Sequence, residues 1–191
     1  MLTSLLPAIS NAAATLTDDT QVHASPSSKK NYGKSPSIRV NSDTLTGLLR
    51  FNLTDSLPDA TTGSSVGKAV IKLWVKSVQK PGAIDVYRIT GDWKETTATG
   101  TNSPQLGDKE LAGAAVETSA AGHWLVLDVT QLVKAWLDGT ADNQGIALKA
   151  VFGGSFVMES KEALYGATLD ILLTTGERGA QGLPGPQVPR E

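Results

Sequence analysis

The stretch Lys68-Ala-Val-Ile-Lys-Leu-Trp-Val75 decides the class of fold. Side chains alternate across an extended strand, so Ala69, Ile71, Leu73 and Val75 share one side, and Lys68, Val70, Lys72 and Trp74 the other. The first set is wholly apolar and is the expected core face. Working outward, Leu48–Leu53 repeats the pattern with Leu49, Phe51 and Leu53 inward and Arg50 and Asn52 outward. Further β-rich runs occur at Ser37–Val40, Ile84–Thr90, Trp124–Asp128, Gly145–Phe152 and Ala167–Leu173, between clusters of Gly, Pro, Asn, Asp and Ser. Short strands in such number, with no helices alternating between them, predict an all-β, antiparallel sandwich rather than a parallel α/β sheet.

One segment departs from this pattern. In Asp128-Val-Thr-Gln-Leu-Val-Lys-Ala-Trp-Leu-Asp-Gly139 the apolar residues Val129, Leu132, Val133 and Trp136 fall on one helical face. Asp128 or Thr130 suits the N-cap and Gly139 the C′ position, so a short helix capping an open end of the sandwich is expected.

The two ends read differently from the middle. Residues 1–13 precede the domain as an extension whose apolar side chains Leu2, Leu5, Leu6 and Ile9 suggest an assembly segment that docks on a neighbouring subunit. The run has no basic n-region and does not read as a signal peptide. The domain itself is assigned to residues 14–175. Residues 176–187 form Gly-X-Y triplets on Gly176, Gly179, Gly182 and Gly185, the spacing of a collagen triple helix, in which only glycine fits the axis. Residues 188–191 break that spacing as a tail. Three chains joined by such a stalk would display three heads, and weak single-site binding gains strength through multivalency.

Composition excludes much chemistry. The 191 residues contain no cysteine, which removes disulfides, thiol nucleophiles and Cys-type zinc sites, and only two histidines, His23 and His123. A formal net charge of −2 gives no basic footprint, so no nucleic-acid partner is expected. No apolar stretch is long enough for a membrane span. The carboxylate pairs Asp18/Asp19, Asp92/Glu95 and Asp138/Asp142 lie in or beside turns, where Asp has an ordinary backbone-bonding role, and no nucleophile elbow or phosphate loop accompanies them. The chain is therefore not read as an enzyme. Asp18, Asp19, Asp55 and Asp59 are conceivable oxygen ligands for calcium, but solvated turn carboxylates are the favoured explanation, and no cofactor is assigned.

Several segments in order carry a family resemblance: Asp19-Thr-Gln-Val-His-Ala-Ser25, Asn31-Tyr-Gly33, Ser37-Ile-Arg-Val40, Leu48–Leu53, Ala69–Val75, Val86–Trp93 with Glu95, Asp128–Trp136, Asn143–Lys149 and Glu159-Ser160. Together they resemble the DNRLRE, or disaggregatase-related, domain, which is similar to some carbohydrate-binding modules. The resemblance implies a jelly-roll-like β-sandwich, usually non-catalytic and extracellular (secreted, on cell surfaces or on virions), some relatives of which bind acidic polysaccharide. Thr99-Gly-Thr-Asn102 departs from the family's pattern in lacking a tryptophan.

Two functions follow as expectations. The first is an extracellular structural or adhesive protein that self-associates into a trimer, fibre or appendage through its ends. The second is a polysaccharide-binding module, and an enzyme degrading matrix polysaccharide is the weakest alternative. For the second, Arg50, Lys72, Arg88 and Lys149 each interrupt an apolar strand at an outward position and would form a cationic stripe if their strands were neighbours. Ordinary ion pairing across a sheet face is the competing explanation. Of the aromatic residues, Trp124, Trp136 and Tyr87 are assigned to the core, and Trp93, following Gly-Asp, is the best candidate for surface stacking, although the family resemblance favours it as a packing residue.

Overall fold

The computed structural model describes residues 9–174. Their strands are β1 (Ile9–His23), β2 (Ser37–Asn41), β3 (Leu45–Asn52), β4 (Val66–Lys80), β5 (Gly82–Ile89), β6 (Leu106–Val116), β7 (His123–Asp128), β8 (Ile146–Val151), β9 (Ser155–Glu159) and β10 (Thr168–Thr174). A single α-helix among the described residues, α1 (Thr130–Leu137), joins β7 to the loop before β8. The all-β class and the isolated helix agree with the sequence reading. None of the described helices is long and apolar enough to cross a membrane.

The strands pair antiparallel in one continuous sheet that closes on itself like a barrel, rather than as the two separate sheets of a sandwich. Closure depends on two long strands that change neighbours along their length. The first half of β1 pairs with β10 and its second half with β3. The first part of β4 pairs with β10 and β7, and its end pairs with β9. A register irregularity marks the change in each: Leu16/Asp18 in β1 and Val75/Ser77 in β4. Bulges of this kind bend a strand sharply and let it turn a corner between sheet regions. Strands β8, β5 and β6 continue the sheet outward from β3. The boundary drawn at residue 14 falls inside β1, which is already paired with β10 from Ile9.

Ala69, Ile71, Leu73 and Val75 are fully buried, as their alternation requires. The first three of these form the main core with Leu49, Phe51, Ile84, Val86, Leu127, Ile146, Leu148 and Phe156. Helix α1 closes one end of it with Val129, Leu132, Val133 and Trp136. Asp128 Oδ1 accepts bonds from the Thr130 N–H and hydroxyl at the helix start, and Gly139 follows the helix with φ of +68°.

A second, smaller core lies on the opposite side of β3, β8 and β5. There Val22, Leu48, Ile89 and Ala147 are covered by Trp93 and Ala98 from the loop between β5 and β6. The Asn31-Tyr-Gly33 turn holds this loop in place. Asn31 Nδ2 donates to the Glu95 and Ala98 carbonyls at 2.7 and 2.8 Å, and a Cβ on Gly33 would stand 2.5 Å from the Glu95 carbonyl oxygen. Tyr87, expected in the core, is half-buried beside this smaller cluster, with Lys109 and Lys149 over its ring.

Asp85 is a buried charge on this outer side, paired with Lys109 and accepting the Gly113 N–H at 2.8 Å. Burial raises its pKa, but the Lys109 ammonium and the Gly113 N–H outweigh that, so the carboxyl titrates below its ordinary value. The unfolded value is about 3.9. The stabilisation is therefore present above it and lost as the pH falls through the lower folded value. Asp85→Asn is expected to cost about 2 kcal/mol at pH 7. In urea melts of both proteins the difference should shrink as the pH drops below about 4.

Candidate functional site

The outward side of β4 and its neighbours carries an aromatic face. Trp74 lies opposite Trp124 in the β4–β7 register, and the outward residues Lys72 and Val70 lie opposite Val126 and Asp128. Tyr165, from the loop between β9 and β10, completes a cluster of three rings. Trp74 is 4.5 Å from Tyr165 and 5.3 Å from Trp124 between centroids, and Trp124 and Tyr165 are 6.0 Å apart. These are edge and tilted contacts of the kind that aromatic quadrupoles favour. Trp124 and Tyr165 are each 40% exposed, and Val126 and Leu164 beside them are exposed further. By contrast Trp93 and Trp136 are only 6% and 8% exposed.

The face lies where β7, paired with β4 alone, forms an edge of the sheet, and its residues Trp124 and Val126 are exposed there. Beyond the rings it continues across β10 to β1 as an open groove of about 490 Å³, lined by Asn11, Ala13, Lys68, Val70, Asp170 and Leu172 among others. Its charges are paired internally: Lys68 with Asp128 at 2.5 Å, and Lys72 with Asp170. The Lys68 ammonium, then the Thr130 hydroxyl and N–H, hold Asp128 down at about 2. The groove is thus an apolar floor with balanced ion pairs along it.

This arrangement overturns the core assignment of Trp124, and for Trp93 it gives the packing role that the family resemblance favours over surface stacking. Trp124 is expected in the core, but it lies on an edge strand with its ring against Trp74 and Tyr165 and 40% exposed. Trp93 was the stacking candidate, but it forms the lid of the smaller core, with its Nε1 donating to the Gln144 carbonyl at 2.8 Å. Its remaining accessible edge borders an open cleft of about 600 Å³ with Arg50, Lys94, Thr97 and Asn102. The arginine carbon Cζ stands 4.9 Å from the Trp93 ring centroid, a cation–π contact. Trp136 is buried as expected.

The four basic residues do not line up as one stripe. Lys72 lies on the aromatic face, whereas the other three lie on the β3–β8–β5 region. There Arg88 stands opposite the core residue Ile146, and Lys149 stands opposite Asp85 on the other side of the sheet. Arg50 is bonded to Asp18 at 2.9 Å, and Arg88 to Asp108 at 2.5 Å with Glu110 at 3.7 Å. Of the assembly segment, Ile9 starts β1 and is exposed, while Leu2, Leu5 and Leu6 lie outside the described residues, as do Gly176, Gly179, Gly182 and Gly185.

A separate polar cluster lies where β1, the β5–β6 loop and the β9–β10 loop meet. Asp19, Glu95 and Glu162 each bring a carboxylate oxygen within 4.8 Å of the other two. The Lys161 ammonium pairs with Glu95 and donates to the Thr17 carbonyl at 3.0 Å, and the Lys161 backbone N–H donates to Asp19 Oδ2 at 2.7 Å. Burial, together with the Glu162 and Glu95 charges, pushes the Asp19 carboxyl up to about 7 against the effect of that N–H.

Among known families, the model of carbohydrate-binding module family 96 matches residues 10–173, nearly the whole described region. The DNRLRE domain is a related kind. No curated protein matches the chain by sequence. With a match over most of its length, on an all-β scaffold that presents an aromatic face, the chain belongs to carbohydrate-binding module family 96.

Proposed function

We propose that this chain is a non-catalytic, extracellular polysaccharide-binding module whose ligand stacks on the Trp74–Trp124–Tyr165 face and runs along the adjoining groove. The observation that carries this reading is the three-ring cluster itself, with Trp124 and Tyr165 each 40% exposed. Exposed aromatic rings bury apolar area at small conformational cost, and the C–H-rich face of a pyranose offers them a flat partner. The flanking Lys68–Asp128 and Lys72–Asp170 pairs supply donors and acceptors to sugar hydroxyls without a net charge. The family supports polysaccharide binding over the assembly reading drawn from the chain ends.

Because the face is electrically balanced, binding is expected to depend on ring stacking more than on ionic contact. The test is affinity electrophoresis and calorimetry against neutral and acidic polysaccharides at 50 and 500 mM NaCl. The expected result is binding that changes by less than about threefold across that range, since salt screens exposed charges and leaves apolar contacts intact. A steep loss of affinity with salt, shared by Arg50→Ala and Lys149→Ala, would instead place the site on the basic residues and overturn this assignment.

A further inference from the structure

We infer that Asp19, Glu95 and Glu162 form a binding site for a divalent, oxygen-preferring cation of the calcium type. The three residues are distant in sequence and come from three different segments, yet each presents a carboxylate oxygen within 4.8 Å of the others. Two oxygens that both ligate one calcium ion at 2.3–2.6 Å lie no more than about 5 Å apart, so this spacing fits one ion.

A group of acidic residues alone would mean little; the decisive observation is what happens inside it. Asp19 is 1% exposed. Its Oδ2 takes the Lys161 N–H, but its Oδ1 is buried and has no hydrogen-bond partner among the described residues. Glu95, also buried, has an equally orphaned Oε1, while its Oε2 takes the Lys161 ammonium. Buried carboxylate oxygens without partners are costly, and native structures leave few of them. Two such atoms in one acidic cluster call for a partner that no described side chain supplies, and a cation is one that both can share.

The charge count points the same way. Lys161 is the cation in contact with the cluster, paired with Glu95 and 3.8 Å from Glu162 Oε1. With all three carboxylates ionised, the state a bound cation favours, the one ammonium leaves two positive charges to be supplied, which one divalent ion provides. Glu162 is exposed and so gives the ion a way in from solvent. Oxygen-only ligation in a cysteine-free chain favours a hard cation over zinc or copper. The bound ion would clamp β1 to both loops.

The experiment uses protein stripped with a chelator and then dialysed free of it. Calcium chloride is titrated by calorimetry, and melting is followed with and without 5 mM calcium. One ion per chain is expected, with a rise in Tm of about 5 °C or more at saturation. Glu162→Gln, a change at an exposed position that should leave folding intact, is expected to weaken the ion's binding at least tenfold. Asp19→Asn should abolish the binding, with circular dichroism confirming that the variant is folded. Terbium luminescence excited through tryptophan gives a second readout, because Trp93 lies two residues from Glu95. No calcium binding up to 5 mM, or binding unaltered in Glu162→Gln, would overturn the inference. Neither result depends on whether the aromatic face binds polysaccharide.

Discussion

Replacing Trp124 with alanine is expected to lower polysaccharide affinity by about 10- to 30-fold while leaving the melting temperature within a few degrees of the parent protein. The two effects separate because Trp124 sits at 40% exposure on an edge strand, outside both cores. Its ring contributes to the face more than to the fold. Trp74→Ala should be worse for binding, since Trp74 is the middle ring, in contact with both Trp124 and Tyr165. Removing it takes away a stacking surface and also the support that fixes the other two. Arg88→Ala, on the far part of the sheet, serves as a control with unchanged affinity. Calorimetry on the polysaccharide that binds the parent protein reads all three. Equal affinity of Trp124→Ala and the parent would remove the aromatic face from consideration.

Phe51→Ala is expected to have the largest effect on stability, about 3–5 kcal/mol. Phe51 is 1% exposed in β3, opposite Leu16 of β1, and its carbonyl takes the Asn143 side chain at 2.9 Å. It therefore stands where the β1–β3 pairing closes the sheet. Loss of the ring leaves a cavity there, and a closed sheet has little freedom to collapse around it. Against a typical domain stability of 5–15 kcal/mol, that is a large fraction. Denaturant melts should show the midpoint moving sharply down and Tm falling by about 10 °C or more. A loss under 1 kcal/mol would mean that the closure point is looser than the packing implies.

How much of this was legible in the sequence varies with the local environment. The core face of β4 could be read because its other side is broken by Lys68 and Lys72, so the alternation is plain. The same logic placed Leu49, Phe51 and Leu53 correctly but missed Leu48, which is equally buried because the β5–β6 loop covers the outer side of β3. Strand β6, rich in Gly, Ala and charge, lacks the composition of a strand and is held by its pairing with β5. Strand β9 is buried on both sides at Phe156, Val157 and Met158, so no alternation marks it. The outward direction of Lys72 was readable, but its separation from Arg50 and Lys149 was not, because strand order is a tertiary property. Trp124 was misassigned for the same reason: only the topology tells that β7 has a single partner. Asp19 and Glu95 were visible as carboxylates, yet each was paired with a sequence neighbour, whereas the fold brings them to each other and to Glu162.

The meeting of β1 and β10 has a mechanical consequence. Ile9 pairs with Thr174, so the two ends of the described domain leave it side by side from the same corner. A module tethered in this way hangs from a longer chain as a pendant and does not lie in line with it. Tension applied through both ends would open the β1–β10 ladder one hydrogen bond at a time, starting at Ile9–Thr174, instead of shearing the whole ladder at once. Such a domain yields at low force from that corner, while the aromatic face on β4 and β7, farther along the sheet, remains intact until the peeling reaches β10's other neighbour.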